Sequence, residues 1–415
     1  MKLFLLLTLL FLHTPLLFAQ SAGAPSIRLD ALVEQALASH PELAFYEAEI
    51  AAAKGERRTA ATWQNPAISA EIGRRRDLGS SSGEGAAWSV AALQSFEWPG
   101  RLALRKAIAD RQVQLAEQGV VQFRAALAAE VRRRGFALFA AQRKAAAARE
   151  VAERGEELVA TLVQREPAGV TPLVETRAIE AAVIKLRRET SEAACDAQRA
   201  QFALNQLRGQ PLAMPLKIAT IDLTFPELPP AAELIGRAAR HNFALKQRGL
   251  EFAQQGFKVR LSENEAWPTI AIGPRFSQET TASRETTAGI GISLPLPLWN
   301  RNGGAIDSAH AREQQAQTAL QLAQREVELK IREQAGIYEL HRSEMTRWNP
   351  QVAEQLREAA TLADRHYRLG AVPLATYLSV QSSYLEALHA IYATQADALT
   401  ARAELELLTG SPLLP

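Results

Sequence analysis

The side chains able to do chemistry are few and scattered in this chain of 415 residues. Seven histidines stand at 13, 40, 241, 310, 341, 366 and 389. No two are three or four apart, the spacing that would aim both imidazoles at one metal ion from a helix. Beyond the initiator, Met214 and Met345 form no thioether cluster for a soft cation. Cys195 stands alone, which rules out a disulfide within the chain, and it reads as a small core residue of a helix. No phosphate-cradling glycine loop and no Ser/His/Asp arrangement stands out. The expectation is therefore no enzyme, no resident metal and no cofactor.

The bulk of the chain must serve some other end. Hydrophobic residues make up 47% of it, led by alanine, which suits close-packed helices. The net charge is only +2, with acids and bases interspersed, so there is no basic footprint for nucleic acid. The opening MKLFLLLTLLFLHTPLLFAQ reads as a secretory signal peptide, residues 1–19, cleaved near Ala19. No lipid-accepting cysteine follows the signal, the single Cys195 lying deep in the chain, so lipidation of the N-terminus is not expected. Past the signal no run of 18 apolar residues occurs, so any membrane spanning falls to strands.

One such strand is GIGISLPLPL. Ile290, Ile292, Leu294, Leu296 and Leu298 alternate with Gly289, Gly291, Ser293, Pro295 and Pro297. Period two gives a strand with two unlike faces, and the prolines put it at an end, an edge or a barrel rim. The chain then repeats itself. LVEQALASHPEL from Leu32 returns as LIGRAARHNFAL from Leu234, and Asn65-Pro66 as Trp267-Pro268, both at an offset of 202. At 201, Trp98 falls on Trp299, the Gly169–Leu173 turn on Gly370–Leu374, and LRGQPL on LTGSPL. Two units follow, 20–214 and 215–415, each holding a β-hairpin and a long helical hairpin.

In each unit a helix (about 30–63 and 231–264) leads to paired strands, about 66–75 with 87–98 and about 268–277 with 288–298. Polar loops, 76–86 and 279–288, join them. A second helix then runs unbroken to about Glu166 or Leu369, and a third ends at Gly209 or Gly410. At 1.5 Å per residue the second helix spans close to 100 Å, too long for a globule. The steps Ala316, Leu320, Ala323, Val327, Ile331, Ala335 and Tyr338 make its seam for neighbouring helices. Four strands cannot close a barrel, since about eight is the usual minimum, so several copies must share one, and three copies give twelve strands. Trp63, Trp98, Trp267 and Trp299 gather where strands meet helices, as a membrane-interface belt does. Ile290 to Leu298 would then face lipid, with the glycines, serine and prolines toward an open lumen.

The signal, the two units, the segment YRLGAVPLATYLSVQ (367–381) and the ending LTGSPL resemble the TolC-type outer membrane efflux proteins across the mature chain. PLPLWNRNGGAIDSAHA (295–311) resembles more narrowly the CzcC-like branch of heavy-metal resistance-nodulation-division (RND) systems. The resemblance implies a mostly α fold with a small β part. It implies a homotrimer whose twelve-stranded outer membrane barrel continues as a periplasmic α-helical barrel. It also implies a periplasmic adaptor and an inner-membrane RND pump as partners, in a Gram-negative bacterium. The docking tips it assigns are Gly169, Val170, Pro172 and Leu173, with Gly370, Val372, Pro373 and Leu374. Acidic rings that narrow the entrance in some members would fall on Thr376 and Ser379, so that gate is absent. In the first unit Glu175 holds the sixth position after the tip glycine, followed by Arg177. It is either a cation-binding ring or an ordinary glutamate paired with arginine on a helix surface. Heavy-metal export, export of drugs or organic solutes, and a soluble periplasmic coiled-coil scaffold all remain open.

Overall fold

The computed structural model describes residues 26–76, 84–165, 173–221, 223–280, 283–348 and 351–413. The signal peptide, most of the first polar loop and the turn residues Gly169, Val170 and Pro172 lie outside them. The described elements run β1 (Ser26–Ile27), α1 (Leu29–Ser39), α2 (Glu42–Ala60), β2 (Ala67–Arg76), β3 (Glu84–Phe96), α3 (Arg101–Arg165) and α4 (Leu173–Leu207). They continue as β4 (Lys217–Ile218), α5 (Ala231–His241), α6 (Phe243–Glu265), β5 (Ile270–Thr280), β6 (Arg284–Ser293), α7 (Gly303–Arg347), α8 (Val352–Arg368) and α9 (Leu374–Thr409).

Several helices expected whole are broken, each for a local reason. The first divides at His40-Pro41, because a residue before proline is pushed out of the helical region and His40 sits at φ −68°, ψ 122°. Its counterpart divides at Asn242, whose side chain accepts from the Leu245 amide at 2.9 Å and so caps α6. The helix expected to run unbroken to Leu369 stops at Arg347 and restarts at Val352; the sequence carries Pro350 between them, and proline removes a helical donor. Only α3 keeps its expected 65 residues, about 98 Å long.

Strand ends are corrected too. β6 stops at Ser293, so Leu294, Leu296 and Leu298 lie beyond the ladder rather than within it. The second hairpin starts later and turns more tightly than expected, with Thr280 opposite Arg284. The four long strands form one antiparallel sheet in the order β2-β3-β5-β6, while β1 and β4 pair in parallel.

Helix packing distributes the core along the molecule instead of gathering it in one place. Leu32, Val131, Phe136 and Leu204 join α1, α3 and α4 beside the β1–β4 pair. Leu234, Ile331, Tyr338 and Leu405 join α5, α7 and α9. Further along, Val151, Ala360 and Tyr384 form a third cluster, and Leu158, Ile179 and Tyr377 a fourth. Of the α7 seam, Val327, Ile331 and Tyr338 are buried. Each such side chain contributes about 1.5–3 kcal/mol, so the long helices depend on their neighbours rather than on propensity. Cys195, expected inside, is exposed on α4.

Candidate functional site: the sheet faces, the helix junction and the hairpin tip

The register sorts the sheet into two chemical faces. Residues directly opposite share a face, and every pair joins even to even or odd to odd, such as Ile72 with Trp88, Val90 with Phe276 and Ile272 with Ile292. The large exposed apolar side chains of the four strands all sit at even positions, among them Ile68, Ile72, Trp88, Phe276 and Ile290. Odd positions hold Ser69, Glu71, Arg75, Ser89, Arg275, Ser277 and Glu279, with Arg75 paired to Glu279 across strands. Ile290 and Ile292 are 78% and 71% exposed on the apolar face, and Gly289, Gly291 and Ser293 lie on the polar one. Even Arg74, Arg76, Glu84 and Arg284 end the apolar band on the side away from the helices. Among the described residues no helix is long and apolar enough to cross a membrane.

At the other end the sheet is riveted to the helices. The rings of Trp98 and Trp267 stack at 4.7 Å, Trp63 meets Phe96 edge-on at 6.3 Å, and Trp299 stands 95% exposed. Arg101, the first residue of α3, is buried. It donates to Asn264 Oδ1 (2.9 Å), the Asn264 carbonyl (2.8 Å), Thr269 Oγ1 (3.0 Å) and the Trp267 carbonyl (2.8 Å). One planar guanidinium thus ties α3 to the α6–β5 junction. Nothing in WPGR marks this arginine beforehand, because its partners lie more than 160 residues away.

At the far end of the helices, α8 closes with a reversal in which Gly370 holds φ +72°. Its amide bonds the Tyr367 carbonyl at 2.9 Å, and the Ala371 amide bonds that of His366 at 2.8 Å. Val372 is half-buried, Pro373 exposed as the cap of α9, and Leu374 half-buried. Thr376 and Ser379 are exposed. Leu173 opens α4, Glu175 is half-buried near Tyr367, and Arg177 pairs with Glu180 at 2.6 Å. So the structure gives Arg177 a glutamate one helical turn on as partner.

Behind this tip lies a polar cluster that the sequence reading missed. The Tyr377 hydroxyl, Thr176 Oγ1, Asp364 Oδ1 and Arg154 Nη1 are buried without a hydrogen-bond partner among the described residues. Burial, then the Asp364 carboxylate, pushes the Tyr377 phenol up to about 12. Arg368 bonds Asp364 at 2.8 Å and reaches Glu157 of α3 at 3.4 Å, linking α8 to α3. Midway along α3, alanines floor a groove of about 410 Å³ against α4 and α9. There burial holds Lys144 below the usual ammonium range, opposed by Asp196. No group of three or more His, Cys, Asp or Glu among the described residues is placed to hold a metal ion.

Comparison with known proteins fits this geometry. The sequence model of the outer membrane efflux protein family matches residues 32–210 and again 234–411. Cobalt-zinc-cadmium resistance protein CzcC of Cupriavidus metallidurans is 28% identical over 229 residues, 54% of this chain and 53% of that protein. The match thus spans about half the length of that relative. A membrane protein from Pseudomonas aeruginosa superposes with a TM-score of 0.75 at 20% identity, covering 92% of this chain and 90% of its own. The outer-membrane channel OprN gives 0.74 at 19%, covering 93% and 91%, and CusC gives 0.70 at 15%, covering 95% of each. Two matches of one family model over most of the sequence, with a fold shared from end to end, settle the assignment: the chain belongs to the outer membrane efflux protein family.

Proposed function

We propose that three copies of this chain close their sheets into one twelve-stranded barrel in the outer membrane of a Gram-negative bacterium, continued by a barrel of helices across the periplasm. In this reading the protein is the passive exit duct of a tripartite efflux pump, not an enzyme. An inner-membrane RND pump supplies the energy, and a periplasmic adaptor docks at the tips around Gly169–Leu173 and Gly370–Leu374.

The observation that carries the reading is the split of the sheet into an apolar even face and a polar odd face. A soluble sheet buries its apolar face against a second layer, and this one leaves it bare over all four strands. In a bilayer that face meets lipid, the odd face lines the lumen, and the four tryptophans mark the periplasmic interface. The paired packing of Gly209 on the Ser39 carbonyl and Gly410 on that of His241 supports two equivalent units, 20–214 and 215–415.

The name of the CzcC relative supports divalent heavy metals of the cobalt, zinc and cadmium class as cargo, with copper or silver the neighbouring class. A duct releases what its pump delivers, so the lack of a metal-ligand cluster among the described residues does not bear on cargo. The test is a strain lacking the gene, grown on graded cobalt, zinc, cadmium, copper and silver salts and on organic dyes. Sensitivity to one metal class, reversed by the gene on a plasmid, is expected; sensitivity confined to dyes or drugs would move the reading to an organic-solute duct.

A further inference from the structure

The apolar face of the sheet ends in one row of side chains that a passive duct does not need. Arg74 lies opposite Ala86; one step past the last β3–β5 pair, Ala86 stands beside Thr280; and Thr280 lies opposite Arg284. All four are even and exposed, so the row crosses the whole apolar face on the side away from the helices. An arginine stands at each edge, with only a methyl and a small hydroxyl side chain between them. At about 4.8 Å per strand, the two arginine positions are about 14 Å apart along the row.

The charges around this row are unevenly paired. Arg75, on the polar face, is held by Glu279, and Arg76, one even position further out, by Glu84 at 3.3 Å. Arg74 and Arg284 have neither an ion pair nor a side-chain hydrogen bond among the described residues. The next even row toward the helices is Ile72, Trp88, Gln278 and Thr286, and the Trp88 ring meets Phe276 at 5.3 Å. Unpaired guanidinium groups thus sit directly beyond an aromatic and aliphatic band, the order in which a bilayer presents its hydrocarbon and then its phosphates. At the helix end of the same face the strand residues Ile68, Gln94, Phe96 and Ile270 carry no charge. The free positive charge of this face is therefore gathered at its outward end.

We infer that Arg74 and Arg284 hold the two phosphates of one glycolipid of the outer leaflet, of the lipid A type, whose acyl chains lie down the apolar face. The inference rests on the membrane placement proposed above and not on the number of copies, because the whole row lies within one chain. A guanidinium presents paired donors that match phosphate oxygens. A sugar headgroup with a phosphate at each end bridges the gap between the two arginines, and Ala86 and Thr280 leave it room. The Thr280 hydroxyl adds a donor, while Ile72, Trp88 and Ile290 give the acyl chains an apolar surface. A glycerolipid with one phosphate engages one arginine only. The row thereby favours the doubly phosphorylated headgroup over other anionic lipids.

The test is native mass spectrometry of the full-length mature protein, stripped of lipid in mild detergent and titrated with diphosphoryl lipid A, monophosphoryl lipid A, phosphatidylglycerol or inorganic phosphate. Diphosphoryl lipid A is expected to bind most tightly. Arg74→Gln with Arg284→Gln should weaken it by about tenfold for each arginine, while leaving the amount of protein in the outer membrane unchanged. Arg275→Gln, which removes an exposed arginine of the polar face, should leave lipid binding as it was. Undiminished binding by the double variant overturns the site. Equal binding of monophosphoryl lipid A, phosphatidylglycerol or inorganic phosphate by the unaltered protein overturns the two-phosphate headgroup as its ligand. A chain found in the soluble periplasmic fraction removes the membrane placement itself, an outcome read from fractionation before any lipid is added.

Discussion

The indole rings of Trp98 and Trp267 stack at 4.7 Å with 10° between their planes, joining the end of β3 to the start of β5. Beneath them Arg101 bonds both the Trp267 carbonyl and Asn264. A strand end, a helix start and a helix end are thereby held at one point, which sets how the sheet sits on the helices.

Removing that guanidinium leaves buried acceptors without donors. Arg101→Ala should cost about 3 kcal/mol, and Arg101→Lys, which cannot reach four acceptors at once, should recover less than half of it. Thermal melts in detergent check both, and a neutral Arg101→Ala would show that the clamp is idle.

The two C-terminal glycines allow a comparison within one protein. Gly370 has open space where a Cβ would go, so Gly370→Ala should cost only the left-handed backbone, about 1 kcal/mol. At Gly410, φ +64°, the added methyl overlaps the His241 carbonyl as well, and Gly410→Ala should cost about 3 kcal/mol. The order Gly410 above Gly370 in denaturant or heat unfolding is the checkable result.

The face assignment predicts an asymmetry between neighbours on one strand. Ile272→Lys places a charge on the apolar face and should cost about 2–4 kcal/mol of membrane stability, whereas Ser277→Lys on the polar face should cost little. The amount of heat-stable protein in the outer membrane fraction distinguishes them.

The Tyr377 hydroxyl is buried without a hydrogen-bond partner among the described residues, so Tyr377→Phe should leave stability at pH 7 unchanged or raise it by up to about 1 kcal/mol. The folded phenol titrates at about 12, above its usual 10. The stability this group contributes is therefore complete below pH 10 and lost as pH rises from 10 toward 12. Melting both proteins at pH 8 and pH 11 should show the smaller alkaline loss in Tyr377→Phe.

Much of this arrangement was legible in the sequence, for reasons that differ by element. The alternation from Ile290 onward announced a two-faced strand because strand faces depend only on parity. The length of α3 was legible because nothing from Leu102 to Gln164 breaks a helix. The divisions at Pro41 and Pro350 carried local signals that a long periodic reading overrode; Asn242 is a cap only because α6 restarts there. Arg101 and the Tyr377 cluster were not legible, since each depends on residues brought together from distant helices. The end of β6 was misread because Pro295 and Pro297 interrupt a pattern that the side chains alone continue to Leu298.

The central claim is that one chain supplies a third of a membrane barrel. Fractionation of the cell followed by native mass of the mature protein in mild detergent tests it most directly. A heat-stable assembly of three chains in the outer membrane is the predicted result, and a soluble periplasmic monomer or dimer would contradict it.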